Sequence, residues 1–251
     1  MAEFDLTGRT AFVTGATGGL GHRFARVLAG AGAAVAIAAR RIDRLSVLKE
    51  EIEQAGGRCT AVAFDVTDDA RVAPALDEAE AALGPIDILV NNAGISISGS
   101  IVHLPLADFD AVLGTDLRAP YVLARETGRR MIARQSGGRI INVASMASFR
   151  VLAGQTPYCI AKAGLAMMTQ CMAREWARYR INVNAICPGY IETEINSAWF
   201  ATEKGKEHIR AMPRRRLIEK EDLDGILLLL ASDASRAITG SLIGIDDAQS
   251  L

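Results

Sequence analysis

Tyr158 and Lys162 stand four residues apart, so on a helix they share one face, one turn apart. A tyrosine near its ordinary pKa of about 10 is a poor proton donor at neutral pH. A neighbouring ammonium stabilises the tyrosinate and lowers that value, and such a pair can work as acid or base near physiological pH. The spacing alone says little, because surface Tyr–Lys pairs are common. Ser145 strengthens it: it follows an apolar run, precedes the segment bearing Tyr158, and carries a hydroxyl able to polarise a carbonyl oxygen.

A second group of residues is suited to a dinucleotide. Thr14-Gly15-Ala16-Thr17-Gly18-Gly19-Leu20-Gly21 lies between a predicted strand and a predicted helix. Glycine lets the backbone take positive φ and approach a pyrophosphate closely, and the helix N-terminus offers free N–H groups to the anion. A tight strand–helix turn also uses glycine, so the loop is weak evidence alone. About 20 residues on, an acidic residue would accept the ribose hydroxyls of NAD. Arg40 and Arg41 stand there instead, and guanidinium matches a 2′-phosphate. This favours NADP(H), with NAD(H) the alternative. Asp65-Val66 is placed to lie near the adenine; a turn-capping role for Asp65 is the plain alternative.

These residues need a frame. Arg9–Val13, Ala33–Ala38, Arg58–Phe64, Ile86–Val90, Arg139–Val143, Ile181–Ile186 and Ser241–Ile245 read as strands, with helices such as Gly19–Ala31 and Asp43–Gln54 between them. The alternation predicts βαβ units, hence a single-domain α/β fold: a doubly wound parallel sheet with helices on both faces. In such sheets ligands sit beyond the carboxyl ends of the strands. Thr14-Gly15, Arg40-Arg41, Asp65, Asn91-Asn92-Ala93-Gly94, Ser145 and Pro188-Gly189 follow six strands in turn and would share one rim. The stretch 192–216 breaks the rhythm and is expected to be a substrate lid, with Trp199 and Phe200 either covering substrate or simply packed.

Bulk composition narrows the class. The 251 residues are 50% hydrophobic and 23% charged, with net charge −1, as in an ordinary globular protein. The densest basic run, Arg214-Arg215-Arg216, reads as a solvated helix end, and no nucleic-acid partner is expected. The longest apolar run, Ile226–Ala231, is far below the ~20 residues of a membrane span. Cys59, Cys159, Cys171 and Cys187 show no CxxC spacing, which fits free thiols and a cytoplasmic location. Three scattered histidines make a metal site improbable, and none is expected. The apolar circumference of the Tyr158–Arg178 helix calls for a subunit interface.

Taken in order, TGATGGLG, Asp65-Val66, NNAG at 91–94, Ser145, YCIAK at 158–162 and PGYIET at 188–193 resemble the short-chain dehydrogenase/reductase superfamily over essentially the whole chain. The resemblance implies a Rossmann fold, hydride transfer between nicotinamide and a carbonyl/alcohol pair, and a homotetramer or homodimer. By the same resemblance Tyr158 would be general acid in reduction and base in oxidation. Lys162 would bind the nicotinamide ribose, and Ser145 would orient the substrate oxygen. The resemblance also puts Gly15, Gly19, Leu20, Gly21, Asn92, Gly94, Pro188, Gly189, Ile191 and Thr193 around the cofactor, and has Asn91 brace the sheet.

Two departures from the family pattern stand out. Thr115-Asp116-Leu117-Arg118 has Asp where relatives carry an Asn, and Asp246-Asp247-Ala248 replaces Asp-Gly-Gly near the C-terminus. Asp116 is expected to leave activity in place but shift its pH dependence. The chain is thus read as an NADP(H)-linked carbonyl reductase or secondary-alcohol dehydrogenase. A 3-oxoacyl-carrier-protein reductase, with Arg118, Arg125, Arg129 and Arg130 near the cleft, and a sugar-acid dehydrogenase are the alternatives. A dinucleotide-binding regulator without catalysis is the rival of another class.

Overall fold

The computed structural model describes residues 4–192 and 196–251. Short runs of Val, Ile, Leu and Ala, which suit strands covered on both faces, form β1 (Thr10–Thr14), β2 (Ala34–Ala39), β3 (Arg58–Ala63), β4 (Ile88–Asn91), β5 (Gly138–Val143), β6 (Ile181–Pro188) and β7 (Leu242–Ile245). They make one sheet in the order β3-β2-β1-β4-β5-β6-β7, every pair parallel. β1 pairs with β2 through Phe12↔Ala36 and with β4 through Phe12↔Leu89.

The helices are α1 (Gly19–Gly30), α2 (Ile42–Gln54), α3 (Asp69–Leu83), α4 (Leu106–Leu113), α5 (Ala119–Arg134), α6 (Thr156–Trp176), α7 (Ser197–Phe200), α8 (Glu203–Ala211) and α9 (Asp224–Ala231). Alternate strand residues point to opposite faces. Val13, Val35 and Ile37 meet Phe24 and Leu28 of α1, Leu45 of α2 and Leu227 of α9. Phe12, Leu89 and Ile140 meet Leu76 of α3, Leu123 of α5 and Met172 of α6. The architecture is the Rossmann-type α/β sheet expected from the alternation.

The order reverses between β1 and β4, where successive crossovers lie on opposite faces and the strand ends part to leave a crevice. Boundaries differ from the sequence reading by a residue or two. β4 begins at Ile88, and just before it the Ile86 N–H donates to Glu80 Oε1 (3.1 Å) while the Asp87 N–H and carbonyl already bond Thr10 (2.9 Å) and Arg139 (2.8 Å) of the neighbouring strands.

The basic run and the tail each add to the sequence reading. The run Arg214–Arg216 follows the end of α8 and is largely exposed, as read, but it is also ion-paired. Arg216 Nε lies 2.7 Å from Asp247 Oδ2 and its Nη1 3.0 Å from Asp222, while Arg214 lies 3.4 Å from Asp247. The tail also keeps a left-handed turn without glycine: Asp247 has φ 49° and Ala248 φ 64°. Such φ values are disfavoured for residues with a Cβ. Here Asp246 holds the turn, accepting from the Ala248 N–H at 3.0 Å and the Ser250 N–H at 3.1 Å.

Candidate active site

A cleft of ~1660 Å³ runs along the carboxyl ends of the strands, from the loop after β1 to the start of α6. At one end lie Gly15, Gly19 and Leu20, with Arg40 and Arg41 beyond β2 and Asp65 and Val66 beyond β3. Asn92 and Gly94 follow β4, and Pro188, Gly189 and Ile191 follow β6. Ser145, Tyr158 and Lys162 lie at the other end. Residues far apart in sequence are therefore brought to one wall by strand order alone. Gly21 does not border the cleft; it packs inside α1 against the Gly15 carbonyl and Asn92. Thr193 falls outside the described residues.

The glycine loop has the form an anion requires. Gly15 and Gly19 have φ 66° and 55°, a region that costs other residues strain. At its N-cap, Gly18, α1 has no side-chain cap, and its first turn has no acidic residue. Its N–H groups and the positive end of its dipole are thus left for a ligand. Asn92 supports this loop from β4: its Nδ2 donates to the carbonyl oxygens of Thr14 (2.9 Å) and Gly15 (3.3 Å). Thr14 Oγ1 in turn accepts from the N–H groups of Asn92 (3.0 Å) and Ala93 (3.1 Å).

Arg40 is three-quarters exposed and only 3.9 Å from Asp65 Oδ2. Arg41 donates to Thr17 Oγ1 at 3.1 Å. Asp65 Oδ1 is taken up by Thr67, through its N–H at 3.0 Å and its hydroxyl at 2.8 Å. Burial alone would push the Asp65 carboxyl up; the Thr67 hydrogen bonds and Arg40 hold it below its usual range. The turn-capping role read as the plain alternative is thus present, with Oδ2 facing Arg40.

At the far end α6 is fixed by a buried polar chain. Asn91 Nδ2 donates to Asn142 Oδ1 (2.9 Å), Asn142 Nδ2 to Thr169 Oγ1 (2.9 Å), and Thr169 Oγ1 to the Leu165 carbonyl (2.8 Å). β4, β5 and α6 are thereby tied together under Tyr158 and Lys162. Pro157 sits in the first turn of α6, where no N–H partner is lost. Ser145 caps a short 3₁₀ turn, its Oγ accepting from the Ala147 N–H at 3.1 Å. The hydroxyl hydrogen stays free to donate.

Lys162 Nζ donates to the Val143 carbonyl (3.0 Å), lies 3.1 Å from Asp116 Oδ2, and sits 5.5 Å from the Tyr158 ring centre. Burial by itself would push its ammonium down, but the Asp116 carboxylate and Tyr158 hold it above its usual range. Asp116 is raised from the ordinary carboxylate range by burial, with Lys162 and the Ile95 N–H pulling the other way. Asp116 belongs to a π-helical turn, Gly114–Arg118, between α4 and α5. Such turns recur at functional sites, and nothing in the residue pattern announced this one.

The stretch 192–216 folds partly as α7 and α8. Trp199 and Phe200 border the cleft. They also pack with Tyr190 and His208 as an aromatic group: Tyr190–Phe200 at 5.9 Å, Tyr190–His208 at 5.0 Å, Trp199–His208 at 5.4 Å. Sequence reasoning missed Gln249, which comes back through β7. Its Oε1 accepts from the Tyr190 N–H at 2.8 Å and its carbonyl from Arg150. It also missed Gln155, hydrogen-bonded to Ser96 and Ser98 at 2.6 Å each. A lone glutamine carries no signal of its own; only topology reveals these two. Among the described residues no cluster suits a metal ion and no helix is long and apolar enough to cross a membrane.

Comparison with known proteins agrees with this geometry. The family model for short chain dehydrogenase matches residues 9–204. The chain is 38% identical over 244 residues to nodulation protein G of Rhizobium sp. (strain N33), covering 97% of each. It is 35% identical to the 2-dehydro-3-deoxy-D-gluconate 5-dehydrogenase of Formosa agariphila, covering 97% of this chain and 93% of that one. It superposes with a TM-score of 0.94 on gluconate 5-dehydrogenase from Burkholderia cenocepacia J2315, solved with NADP and tartrate, at 35% identity over 98% and 97% of the two chains. The chain belongs to the short-chain dehydrogenase/reductase superfamily and is an oxidoreductase of the class acting on CH–OH and C=O groups.

Proposed function

We propose that this short-chain dehydrogenase interconverts a ketone and a secondary alcohol with NADP(H), Tyr158 handling the proton. The observation that carries the reading is one continuous cleft with an uncapped glycine-loop helix and two arginines at one end and Ser145, Tyr158 and Lys162 at the other. The residues present suit the dinucleotide. The free N–H groups of α1 would hold the pyrophosphate, Arg40 and Arg41 the 2′-phosphate, and Lys162 a ribose hydroxyl. Bound there, the nicotinamide supplies the hydride that bonds to the carbonyl carbon in reduction and takes it back in oxidation. Ser145 donates its free hydrogen to the substrate oxygen and holds it beside Tyr158. The Tyr158 hydroxyl gives its proton to that oxygen in reduction; the tyrosinate removes it in oxidation. NADP in the Burkholderia structure supports the cofactor choice.

A narrower reading, a sugar-acid dehydrogenase, is favoured by the substrate end. Ser96, Ser98 and Gln155 form a hydrogen-bonding chain there, and His208 Nε2 is buried with no hydrogen-bond partner among the described residues. Arg150 borders the same end and forms no ion pair among the described residues. Hydroxyls and a carboxylate would satisfy these groups, and the gluconate and tartrate in the names of relatives point the same way. The carrier-protein alternative has a relative behind it, a 33% identical 3-oxoacyl-[acyl-carrier-protein] reductase of Aquifex aeolicus, but three of its four arginines are already paired: Arg118 with Asp69, Arg129 with Glu126, and Arg130 with Asp77, Glu80 and Glu126. Exposed Ile160 and Met167 on α6 and Tyr121 on α5 fit the homotetramer or homodimer expected of this superfamily.

The test is spectrophotometric. NADPH and NADH oxidation are followed with plain ketones and with keto sugar acids. Turnover with NADPH and a keto acid is expected; cofactor binding without turnover on any substrate would favour a non-catalytic regulator.

A further inference from the structure

Lys162 meets a carboxylate at the wall of the cleft, with almost none of either side chain exposed. Asp116 and Lys162 lie 3.1 Å apart with 0% and 5% of their side chains exposed. Asp116 is held from its other side as well. The Ile95 N–H donates to Oδ1 at 2.7 Å, and Gly94 is so close that a Cβ there would stand 2.9 Å from Oδ2. Oδ2 has no well-aligned hydrogen bond among the described residues, so its engagement with the ammonium is mainly electrostatic.

The groups that face this pair most closely are neutral, and the next charges, Asp246 behind Cys187 and Arg150 behind Tyr190, act at one remove. On β6 the Cys187 thiol is pushed up to about 12 by burial. Beside Tyr158, burial likewise raises Tyr190, with Arg150 opposing it. From β5 comes the Val143 carbonyl. Asp116 is thus the counter-charge that a buried ammonium requires.

We propose that Asp116 is a positioning residue that makes Tyr158 and Lys162 part of a net-neutral buried unit, which holds its transferable proton to higher pH and favours carbonyl reduction at neutral pH. The inference rests on the hydride chemistry proposed above. With Asp116 ionised, Lys162 protonated and Tyr158 a phenol, the unit carries no net charge. Losing a proton makes it an anion in a low-dielectric site, which is opposed. With asparagine at 116 the same loss takes it from +1 to 0, which is favoured. The count holds whether the proton leaves the phenol or the ammonium. Those two forms share one protonation state, so their ratio does not change with pH, and only the step of the whole unit moves. The unit therefore keeps its transferable proton further into the alkaline range with Asp116 than without it.

The experiment compares wild type with Asp116→Asn, and with Asp116→Ser should the first not fold. The rate of alcohol oxidation is measured against pH with NADP⁺. Separately, tyrosinate absorbance is titrated without cofactor, each protein minus its Tyr158→Phe counterpart. The rising limb of oxidation and the onset of Tyr158 ionisation should both move to lower pH by about one unit or more. An unmoved midpoint, a shift to higher pH, or a uniform loss of kcat at constant midpoint overturns the proposal. If wild type turns over no substrate, the hydride reading fails, while the titration, which needs no turnover, still decides the role of Asp116.

Discussion

At the glycine-loop end of the cleft, Arg40 is three-quarters exposed and its nearest carboxylate, Asp65, lies 3.9 Å away. At the other end Lys162 is buried 3.1 Å from Asp116, whose side chain is wholly buried. The first arrangement costs the fold little, since an exposed guanidinium keeps its water; it is screened by salt and can greet a polyanion from solution. The second costs desolvation of two ions and holds only because each has the other. One end suits capture of a charged ligand. The other suits a fixed protonation state.

The largest effect should come from separating the buried pair. Lys162→Met strands the Asp116 carboxylate and should lower folding stability by about 3–5 kcal/mol. Adding Asp116→Asn should recover part of that loss without restoring turnover. Denaturant titration checks both, with Arg40→Ala as control, expected within about 0.5 kcal/mol of wild type. If Lys162→Met proves as stable as wild type, the contrast between the two ends collapses.

Next in size is cofactor choice. Arg40→Asp should cut kcat/KM for NADPH by about 10- to 100-fold, the worth of a charge-assisted hydrogen bond, and improve NADH. In wild type, the KM for NADPH should rise with salt while the pH midpoint of oxidation stays in place. If Arg40→Asp leaves the NADPH/NADH ratio alone, the arginines do not read the 2′-phosphate.

The smallest effect sharpens the contrast with a half-solvated cluster. Hydrogen bonding to Arg129, with help from Arg130, holds the Glu126 carboxyl down to about 2. A folded value below the unfolded one stabilises the fold above the unfolded carboxylate's range and fades as pH falls toward about 2. Glu126→Gln should therefore cost at most about 1 kcal/mol at neutral pH. Melts across pH should show the gap to wild type closing in acid, and a gap that widens there would contradict the sign.

The frame was legible because its signals are local. Alternating β-rich runs and helical stripes located the strands within a residue or two, and their order along one rim placed Gly15, Arg40, Asn92, Ser145 and Pro188 together. What was not legible depends on contacts between distant segments. Gln249 reaches the Tyr190 N–H only because β7 returns beside β6. The pairing of Arg214 and Arg216 with Asp247 was not legible because Asp247 is distant in sequence. Asp116 was visible as a departure from the family pattern. Its 3.1 Å contact with Lys162 was not, since it comes through a π-helical turn that composition does not mark.

The central claim is that the Tyr158 hydroxyl moves the proton that accompanies hydride transfer, and one variant tests it most directly. Tyr158→Phe removes that hydroxyl and keeps the ring. NADPH consumption with the best keto substrate is compared for wild type and variant, with NADPH affinity measured by fluorescence. The account predicts a loss of kcat of about 10²-fold or more with cofactor affinity unchanged. Equal turnover in the two proteins would contradict it.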